Sequence, residues 1–154
     1  MKKKLRLGMI GGGQGAFIGA VHRLSARMDD KYEFVAACLS STPEKAVASA
    51  NEIGLNLDRS YPDYTTMALE ESKREDGIEV VSIVTPNHMH AGPAIEFLQK
   101  DIHVICDKPM TATMDDAHNL MSAIKSSKAH FFLTHNYSGY PAVSYTHLRA
   151  HETI

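Results

Sequence analysis

Five short, nearly continuous apolar runs recur along the 154-residue chain, and they constrain its fold more than any other feature. The runs are rich in β-branched and aliphatic residues, and none alternates cleanly between polar and apolar positions. This pattern is typical of strands buried on both faces of a parallel sheet. The predicted strands are residues 5–10, 34–39, 80–85, 102–106 and 131–134.

Segments with helical patterns separate these runs. The first carries Phe17, Val21, Leu24 and Met28 at close to helical spacing. The second starts at Ser41-Thr42-Pro43-Glu44, where a hydroxyl cap, a proline and a glutamate that can close a capping box indicate a helix start. The predicted helices are residues 16–28, 43–53, 64–74, 93–99 and 115–125. Strands alternating with such helices predict βαβ units with right-handed crossovers, and therefore an α/β fold with a doubly wound parallel sheet.

Bulk composition excludes several kinds of partner. The formal net charge is −2, with 16 basic and 18 acidic residues, so neither nucleic acid nor a membrane surface is an expected partner. The chain has no apolar stretch of about 18 residues, as a membrane helix requires, and no signal-peptide pattern. Cys38 and Cys106 both lie in apolar runs, as buried thiols of a reducing compartment do. We therefore expect a cytoplasmic protein.

A glycine-rich turn follows the first predicted strand. Gly11, Gly13 and Ala16 occupy the three small-residue positions of a G-x-G-x-x-[G/A] motif that opens a helix. Gly11 would permit a tight turn, Gly13 would let the backbone approach a pyrophosphate, and Ala16 would let the helix pack closely on the strand. The helix N-terminus would then offer free N–H groups to the phosphates. We expect dinucleotide binding in a Rossmann-type fold, with a merely structural turn as the alternative. Cofactor contacts are also expected from Gln14, Gly15 and Phe17.

The end of the second predicted strand bears on the choice of cofactor. NAD-preferring sites commonly place an acidic residue there to hold the ribose 2′-hydroxyl. This chain has Ser40 and Ser41 instead, with no carboxylate before Glu44, and Lys45 follows one helical turn later. Hydroxyls and a lysine would accept a 2′-phosphate, so NADP(H) is favoured and NAD(H) is the alternative. Ser40 and Ser41 could also serve only to cap the helix.

Three further polar segments follow the later strands. They are Thr85-Pro86-Asn87-His88-Met89-His90, Asp107-Lys108-Pro109 and His135-Asn136-Tyr137-Ser138-Gly139-Tyr140-Pro141. Because parallel strands end at one edge of the sheet, where α/β sheets bind ligands, we expect these segments to converge beside the glycine turn.

In order along the chain, these motifs resemble those of the Gfo/Idh/MocA oxidoreductase family, over roughly residues 5–143. Thr85-Pro86-Asn87 with His90 is similar to its T-P-N-x-x-H motif, and Asp107-Lys108-Pro109 to its E-K-P motif. The resemblance implies catalytic roles for Lys108 and His90, with Lys108 assisting proton transfer beside the nicotinamide. It also implies a shorter carboxylate, Asp107, where the family has glutamate. The cofactor-binding residues that it implies are Thr85, Pro86, Asn87, His90, Asp107, Lys108, Asn136 and Tyr137.

The remaining histidines are given structural interpretations. His88 and His90 flank one residue, but two imidazoles without a cysteine or carboxylate partner make a poor metal site, and no metal is predicted. Ordinary surface or packing positions are expected for His22, His103, His118 and His130.

The resemblance also bears on domain organisation. Family members continue for about the same length again, with a second domain that binds substrate. Residues 1–142 are expected to form the NAD(P)-binding domain. Residues 143–154 are expected to be a non-native tail, because a DNA sequence resembling a transposase sequencing adapter can encode them. Any homo-oligomer would then require the missing domain.

The predicted function is that of the nucleotide-binding part of an NAD(P)-dependent oxidoreductase. In the complete enzyme, hydride would pass between the nicotinamide and a CH–OH group of a sugar, polyol or related alcohol. The chain alone is expected to bind dinucleotide weakly and to lack turnover. A non-catalytic NAD(P)-binding sensor or regulator of the same fold is the alternative.

Overall fold

The computed structural model describes residues 3–142, in which five parallel strands form one sheet in the order β2-β1-β3-β4-β5. The chain runs from β1 to β2 on one side and then returns to β3 on the other side of β1. The resulting switch point, between β1 and β3, is where doubly wound sheets bind ligands. The predicted α/β Rossmann-type class is confirmed. The strands are β1 (Leu5–Gly11), β2 (Tyr32–Cys38), β3 (Val80–Val84), β4 (His103–Asp107) and β5 (Phe131–Thr134).

Helices connect successive strands, as the alternating pattern predicts. They are α1 (Phe17–Met28), α2 (Pro43–Glu52), α3 (Tyr64–Lys73), α4 (Ala91–Leu98) and α5 (Met114–Ser126). Short 3-10 turns follow α2, β3 and β5, at Leu57–Arg59, Asn87–Met89 and Asn136–Gly139. Helix α4 begins two residues before its predicted start, because Pro93 fits within a first helical turn, where its missing N–H is not needed. The predicted tail, residues 143–154, lies outside the described residues.

The start of α2 differs from the predicted capping box. Pro43 does occupy the first turn, but the side chain of the N-cap residue Thr42 makes no capping hydrogen bond. The Thr42 N–H instead donates to Ser40 Oγ at 3.1 Å, so a serine turn before the helix holds its entry. Side-chain caps are present elsewhere, since Asp63 accepts from Thr66 N–H at the start of α3.

The core consists of two apolar layers on opposite faces of the sheet. Val81, Ile83, Val104 and Cys106 project into the larger layer, where α3, α4 and α5 pack. Its largest fully buried side chain is Phe97 of α4. The smaller layer lies under α1 and α2; it contains Met9, Ala37, Leu39, Ala50, Leu55 and Val84.

The face of the sheet under α1 is only partly covered at β4 and β5. His103, Ile105 and Asp107 are partly buried, and they alternate along β4 with buried residues on the other face. Phe132 of β5 is 55% exposed. The prediction of burial on both faces is therefore right for β3 and wrong for these two strands. The reason is topological, because right-handed crossovers from β2 through to β5 run in one direction and place their helices on one face.

Helix α1 also presents an unexpected surface. The four apolar residues whose spacing predicted the helix are largely exposed, at 80% for Phe17, 37% for Val21, 57% for Leu24 and 77% for Met28. The helix buries Gly19 and packs Ile18 against the smaller apolar layer instead. The apolar spacing therefore located the helix correctly but did not identify its buried face.

A buried ion pair fixes the connection from β2 to β3. The Glu71 carboxylate on α3 is 1% exposed and accepts hydrogen bonds from the Arg59 guanidinium, from Tyr61 Oη at 2.7 Å and from Ile78 N–H at 3.0 Å. Burial, together with the bond to Glu71, raises the pKa of Tyr61 to about 12. With these partners the carboxylate is well satisfied, which is the condition under which a buried charge is tolerated.

Replacing Glu71 with alanine is expected to destabilise the fold by about 3–5 kcal/mol, because the buried Arg59 guanidinium would lose its buried partner and keep only the exposed Asp76. The neighbouring Glu70→Ala is the matched control. Glu70 pairs with Lys73 across 3.1 Å, with both side chains at least half exposed, so its loss should cost about 0.5 kcal/mol or less. Urea unfolding followed by circular dichroism measures both, and equal losses of stability would contradict the assignment.

Candidate functional site

The turn after β1 requires glycine for backbone reasons. Gly11 and Gly12 have φ angles of +80° and +75°, in the left-handed region that side chains disfavour. A Cβ on Gly13 would lie 2.7 Å from the Leu39 carbonyl oxygen and 2.8 Å from Ser49 Oγ. Glycine is therefore required at this position by packing against the end of β2, whereas the motif assigns its second glycine to a close approach to the pyrophosphate.

The close helix packing expected at Ala16 occurs at Gly19 instead. Ala16 is the N-cap of α1 and has an extended backbone. An added Cβ on Gly19 would lie 2.7 Å from the Gly12 carbonyl oxygen and would overlap the Gly12 Cα. The loop between the second glycine and the helix is longer than the motif assumes, so the contact falls one turn into the helix. The matching signal in the sequence was a glycine within a helical pattern.

The side chains of Arg23 and Ser49 form hydrogen bonds with the backbone of the glycine turn. Arg23 Nη1 donates to the Gly12 carbonyl at 2.9 Å, and the Gln14 N–H donates to Ser49 Oγ at 2.9 Å. Ser49 in turn donates to the Lys45 carbonyl at 2.6 Å and is 2% exposed. Neither Arg23 nor Ser49 was predicted from the sequence. The available signal was a serine between the alanines of the buried face of α2.

A groove of about 600 Å³ lies along the carboxyl edge of β1, β2 and β3. It brings together most of the residues predicted to bind cofactor, namely Gly11, Gly13, Gln14, Ala16, Ser40, Ser41, Lys45, Thr85 and Pro86. Gly15 and Phe17 instead line a smaller adjoining cavity that also contacts Gly13 and Gln14. Groove residues that sequence reasoning missed are Cys38, Leu39, Ser49, Pro62, Asp63, Tyr64, Val84 and Met89.

Two charged side chains line the groove, Lys45 and Asp63. Ser41 and Lys45 are exposed at the N-terminal end of α2. The Asp63 carboxylate accepts bonds from the Thr65 hydroxyl and from the Thr66 N–H and hydroxyl, which together lower its pKa. Asp63 is thus ionised, but its oxygens already have donors at the start of α3.

The thiol in this groove is unreactive. Burial raises the pKa of Cys38 to about 11 and that of Cys106 to about 12, so both remain protonated at neutral pH. Both cysteines are free and buried, which confirms their interpretation as small apolar residues.

A second cavity, of about 330 Å³, lies between α1 and the face of the sheet formed by β1, β3, β4 and β5. It brings together three of the predicted residues, Asp107, Lys108 and Asn136. Lys108 is exposed, and it precedes Pro109 across a cis peptide bond. Asn87 and Tyr137 are exposed and lie outside the linings of both cavities.

His90 occupies a different position from the one expected of it. Its side chain is 1% exposed, with Nδ1 2.7 Å from the Pro109 carbonyl oxygen and Nε2 2.9 Å from that of Thr85. The expected contact with the nicotinamide is not open to this buried ring, because both of its polar atoms face the backbone. His90 instead joins the turn after β3 to the turn after β4.

Within residues 3–142, no group of three or more histidine, cysteine, aspartate or glutamate side chains is arranged to hold a metal ion. None of the helices in the same range has the length and apolarity needed to cross a membrane.

The glycine turn at the switch point and the adjoining groove define the class of this chain, an NAD(P)-binding Rossmann domain. The family model described as "Oxidoreductase family, NAD-binding Rossmann fold" matches residues 5–135. The chain belongs to this family, Gfo/Idh/MocA, as its motifs predicted.

Three relatives show how far the similarity extends. The structure of an oxidoreductase from Sinorhizobium meliloti is 60% identical with a TM-score of 0.88, over 92% of this chain and 39% of that one. Levoglucosan dehydrogenase from Pseudarthrobacter phenanthrenivorans is 30% identical over 149 residues, 92% of this chain and 36% of that protein. An inositol dehydrogenase homolog from Azotobacter vinelandii, complexed with NADH and myo-inositol, is 29% identical with a TM-score of 0.89, over 99% of this chain and 40% of that one. The chain thus spans about two fifths of the length of these relatives.

Replacing Gly19 with alanine is expected to destabilise the domain by about 1–3 kcal/mol, because the added methyl group meets backbone that must move. Helix propensity alone would favour alanine by about 1 kcal/mol, so the sign of the change tests the contact. Gly92→Ala in α4 is the control, since its Cβ would meet only the end of the Tyr64 side chain, at 3.1 Å. Thermal unfolding measures both variants, and a stabilised Gly19→Ala protein would contradict the packing described.

Proposed function

We propose that this chain binds NADP(H) along the carboxyl edge of its sheet, as the nucleotide-binding part of an oxidoreductase acting on CH–OH groups of sugars or polyols. The observation that carries the proposal is the turn at Gly13, where the backbone lies bare beside a groove at the switch point. The N–H groups of the first turn of α1 have no partners within the helix, so they suit a pyrophosphate.

The preference for NADP(H) is supported by the wall of the groove after β2. Ser40, Ser41 and Lys45 line it together. A lysine and two hydroxyls suit a 2′-phosphate, whereas a carboxylate at the end of β2 would repel it. The Asp63 carboxylate, which also lines the groove, accepts hydrogen bonds from Thr65 and Thr66. NAD(H) is the alternative cofactor.

Titration of the chain with NADPH and with NADH, followed by the emission of the reduced nicotinamide, tests this preference. Lys45→Ala is expected to weaken NADPH binding about tenfold, because a charge-assisted bond to phosphate contributes about 1.5 kcal/mol. NADH binding should be unchanged. Lys125→Ala, on the exposed surface of α5, is the control.

Two outcomes would overturn separate parts of the proposal. Tighter binding of NADH than of NADPH by the unmodified chain would overturn the assignment of the 2′-phosphate to Ser40, Ser41 and Lys45. A chain that is folded by circular dichroism and binds neither dinucleotide would overturn dinucleotide binding itself.

The second cavity supplies the groups for proton transfer. A bound nicotinamide would supply the hydride acceptor or donor, and Lys108 would take up the proton that leaves the substrate hydroxyl. Asp107 lies beside Lys108 in the lining of the cavity and accepts from the Thr134 hydroxyl at 2.8 Å. His90 would act as a positioning residue, because it holds the Pro109 carbonyl from the other side of the turn.

The substrate class follows from relatives and from the chemistry of Lys108. Levoglucosan dehydrogenase and the inositol dehydrogenase homolog that was complexed with myo-inositol are named for polyhydroxylated substrates. We infer a sugar, polyol or related alcohol as substrate of the complete enzyme. Cys38 and Cys106 are both free and buried, which supports the proposal of a reducing, cytoplasmic setting.

The chain by itself is expected to show no turnover. Lys108 is exposed in an open cavity, whereas hydride transfer requires cofactor and alcohol to be held in a near-attack geometry from which water is excluded. Absorbance of reduced nicotinamide, followed with NADP⁺ and a panel of polyols, measures this. Turnover that disappears in Lys108→Met would contradict the expectation while supporting the role of the lysine.

A further inference from the structure

A chain of polar side chains crosses the partly covered face of the sheet beneath the second cavity. Ser82, at the centre of β3, is 2% exposed, and its Oγ lies 2.8 Å from Nδ1 of His22 on α1. His22 Nε2 lies 3.9 Å from Asp107 Oδ1, and the same oxygen accepts from the Thr134 hydroxyl at 2.8 Å. Side chains of α1, β4 and β5 therefore meet at the Asp107 carboxylate, and Ser82 of β3 joins them through His22.

His22 is not the ordinary packing residue that its sequence position indicated. Its side chain is 13% exposed, and that of Asp107 is 16% exposed. Burial lowers the pKa of His22, which the Asp107 carboxylate partly offsets, so the ring is neutral at pH 7. A neutral ring has one N–H. Electrostatics place that hydrogen on Nε2, facing Asp107, and Nδ1 then accepts from the Ser82 hydroxyl.

Ser82 explains why the ring is held in this orientation. Every residue of β3 is buried, and Ser82 is the polar one among four aliphatic residues. A buried hydroxyl without a partner would cost about 1–3 kcal/mol. The hydrogen bond between Ser82 and His22 avoids this cost and also holds the His22 ring in place. The orientation of His22 is thereby determined by the central strand and not by solvent.

We propose that His22 is a positioning residue that fixes the Asp107 carboxylate, and through it the turn that carries Lys108. The expected effect on cofactor binding rests on the proposed function, in which Lys108 lies beside the nicotinamide. One oxygen of the Asp107 carboxylate accepts from the Thr134 hydroxyl, and Nε2 of His22 lies 3.9 Å from the same oxygen, an electrostatic contact longer than a hydrogen bond. Loss of His22 should therefore disturb the nicotinamide end of the site and spare the adenosine end.

The test compares two ligands on three variants of the full chain. NADPH engages both ends of the site, whereas 2′-phospho-ADP-ribose lacks the nicotinamide. His22→Leu should weaken NADPH binding about threefold to tenfold, as expected for the loss of one polar contact, and leave 2′-phospho-ADP-ribose binding unchanged. His22→Gln, which retains an acceptor and a donor, should restore most of the loss. His118→Gln, on the exposed surface of α5, is the control.

Isothermal calorimetry gives both affinities, and thermal unfolding shows that each variant is folded. Unchanged NADPH binding by His22→Leu would overturn the proposal. Equal weakening for both ligands would also overturn it, because that result indicates a general structural role.

A second measurement does not depend on cofactor binding. Long-range ¹H–¹⁵N spectra report the tautomer of His22, and we expect hydrogen on Nε2 at pH 7, with that preference reduced in Ser82→Ala. Hydrogen on Nδ1 would overturn the proposed contact. If the unmodified chain binds neither ligand, the proposed function fails, and the tautomer alone then decides whether His22 faces Asp107 as stated.

Discussion

The contact between Gly12 and Gly19 is the constraint on which the rest of the site depends. It lets α1 approach β1 so closely that no side chain fits on either backbone. That approach points the start of α1 at the groove and brings His22, one turn later, over the central strand. Arg23 then binds the Gly12 carbonyl from the same helix. One tight backbone contact therefore positions both the start of α1 beside the groove and His22 over β3.

The sequence was most informative where chain topology decides the outcome. Continuous apolar strands with helices between them predicted a parallel sheet, and parallel strands necessarily carry their following turns to one edge. This is why Lys108 and Asn136 could be expected to meet, although they follow different strands, and they line one cavity in the structure. The glycine motif likewise fixed the position of the groove, because each glycine has a backbone reason to be there.

The spacing of apolar residues could not predict which faces are buried, because burial depends on what packs against them. Phe17 and Met28 form part of a regular apolar stripe, yet more than three quarters of each side chain is exposed. Helical spacing says that residues share a face, but not whether that face is inside. The same limit explains His90 and His22. The family resemblance implied a catalytic role for His90, and His22 was expected at a surface or packing position, whereas the hydrogen bonds of both rings are made to a carbonyl or hydroxyl distant in sequence.

The turn at Asp107, Lys108 and Pro109 is held from both faces of the sheet. On one face, the Asp107 carboxylate meets the hydroxyl of Thr134 and the edge of His22. On the other, His90 binds the Pro109 carbonyl and ties it to Thr85 at the end of β3. The lysine between these anchors is itself exposed. In the proposed mechanism, Lys108 would transfer the proton from this fixed backbone position.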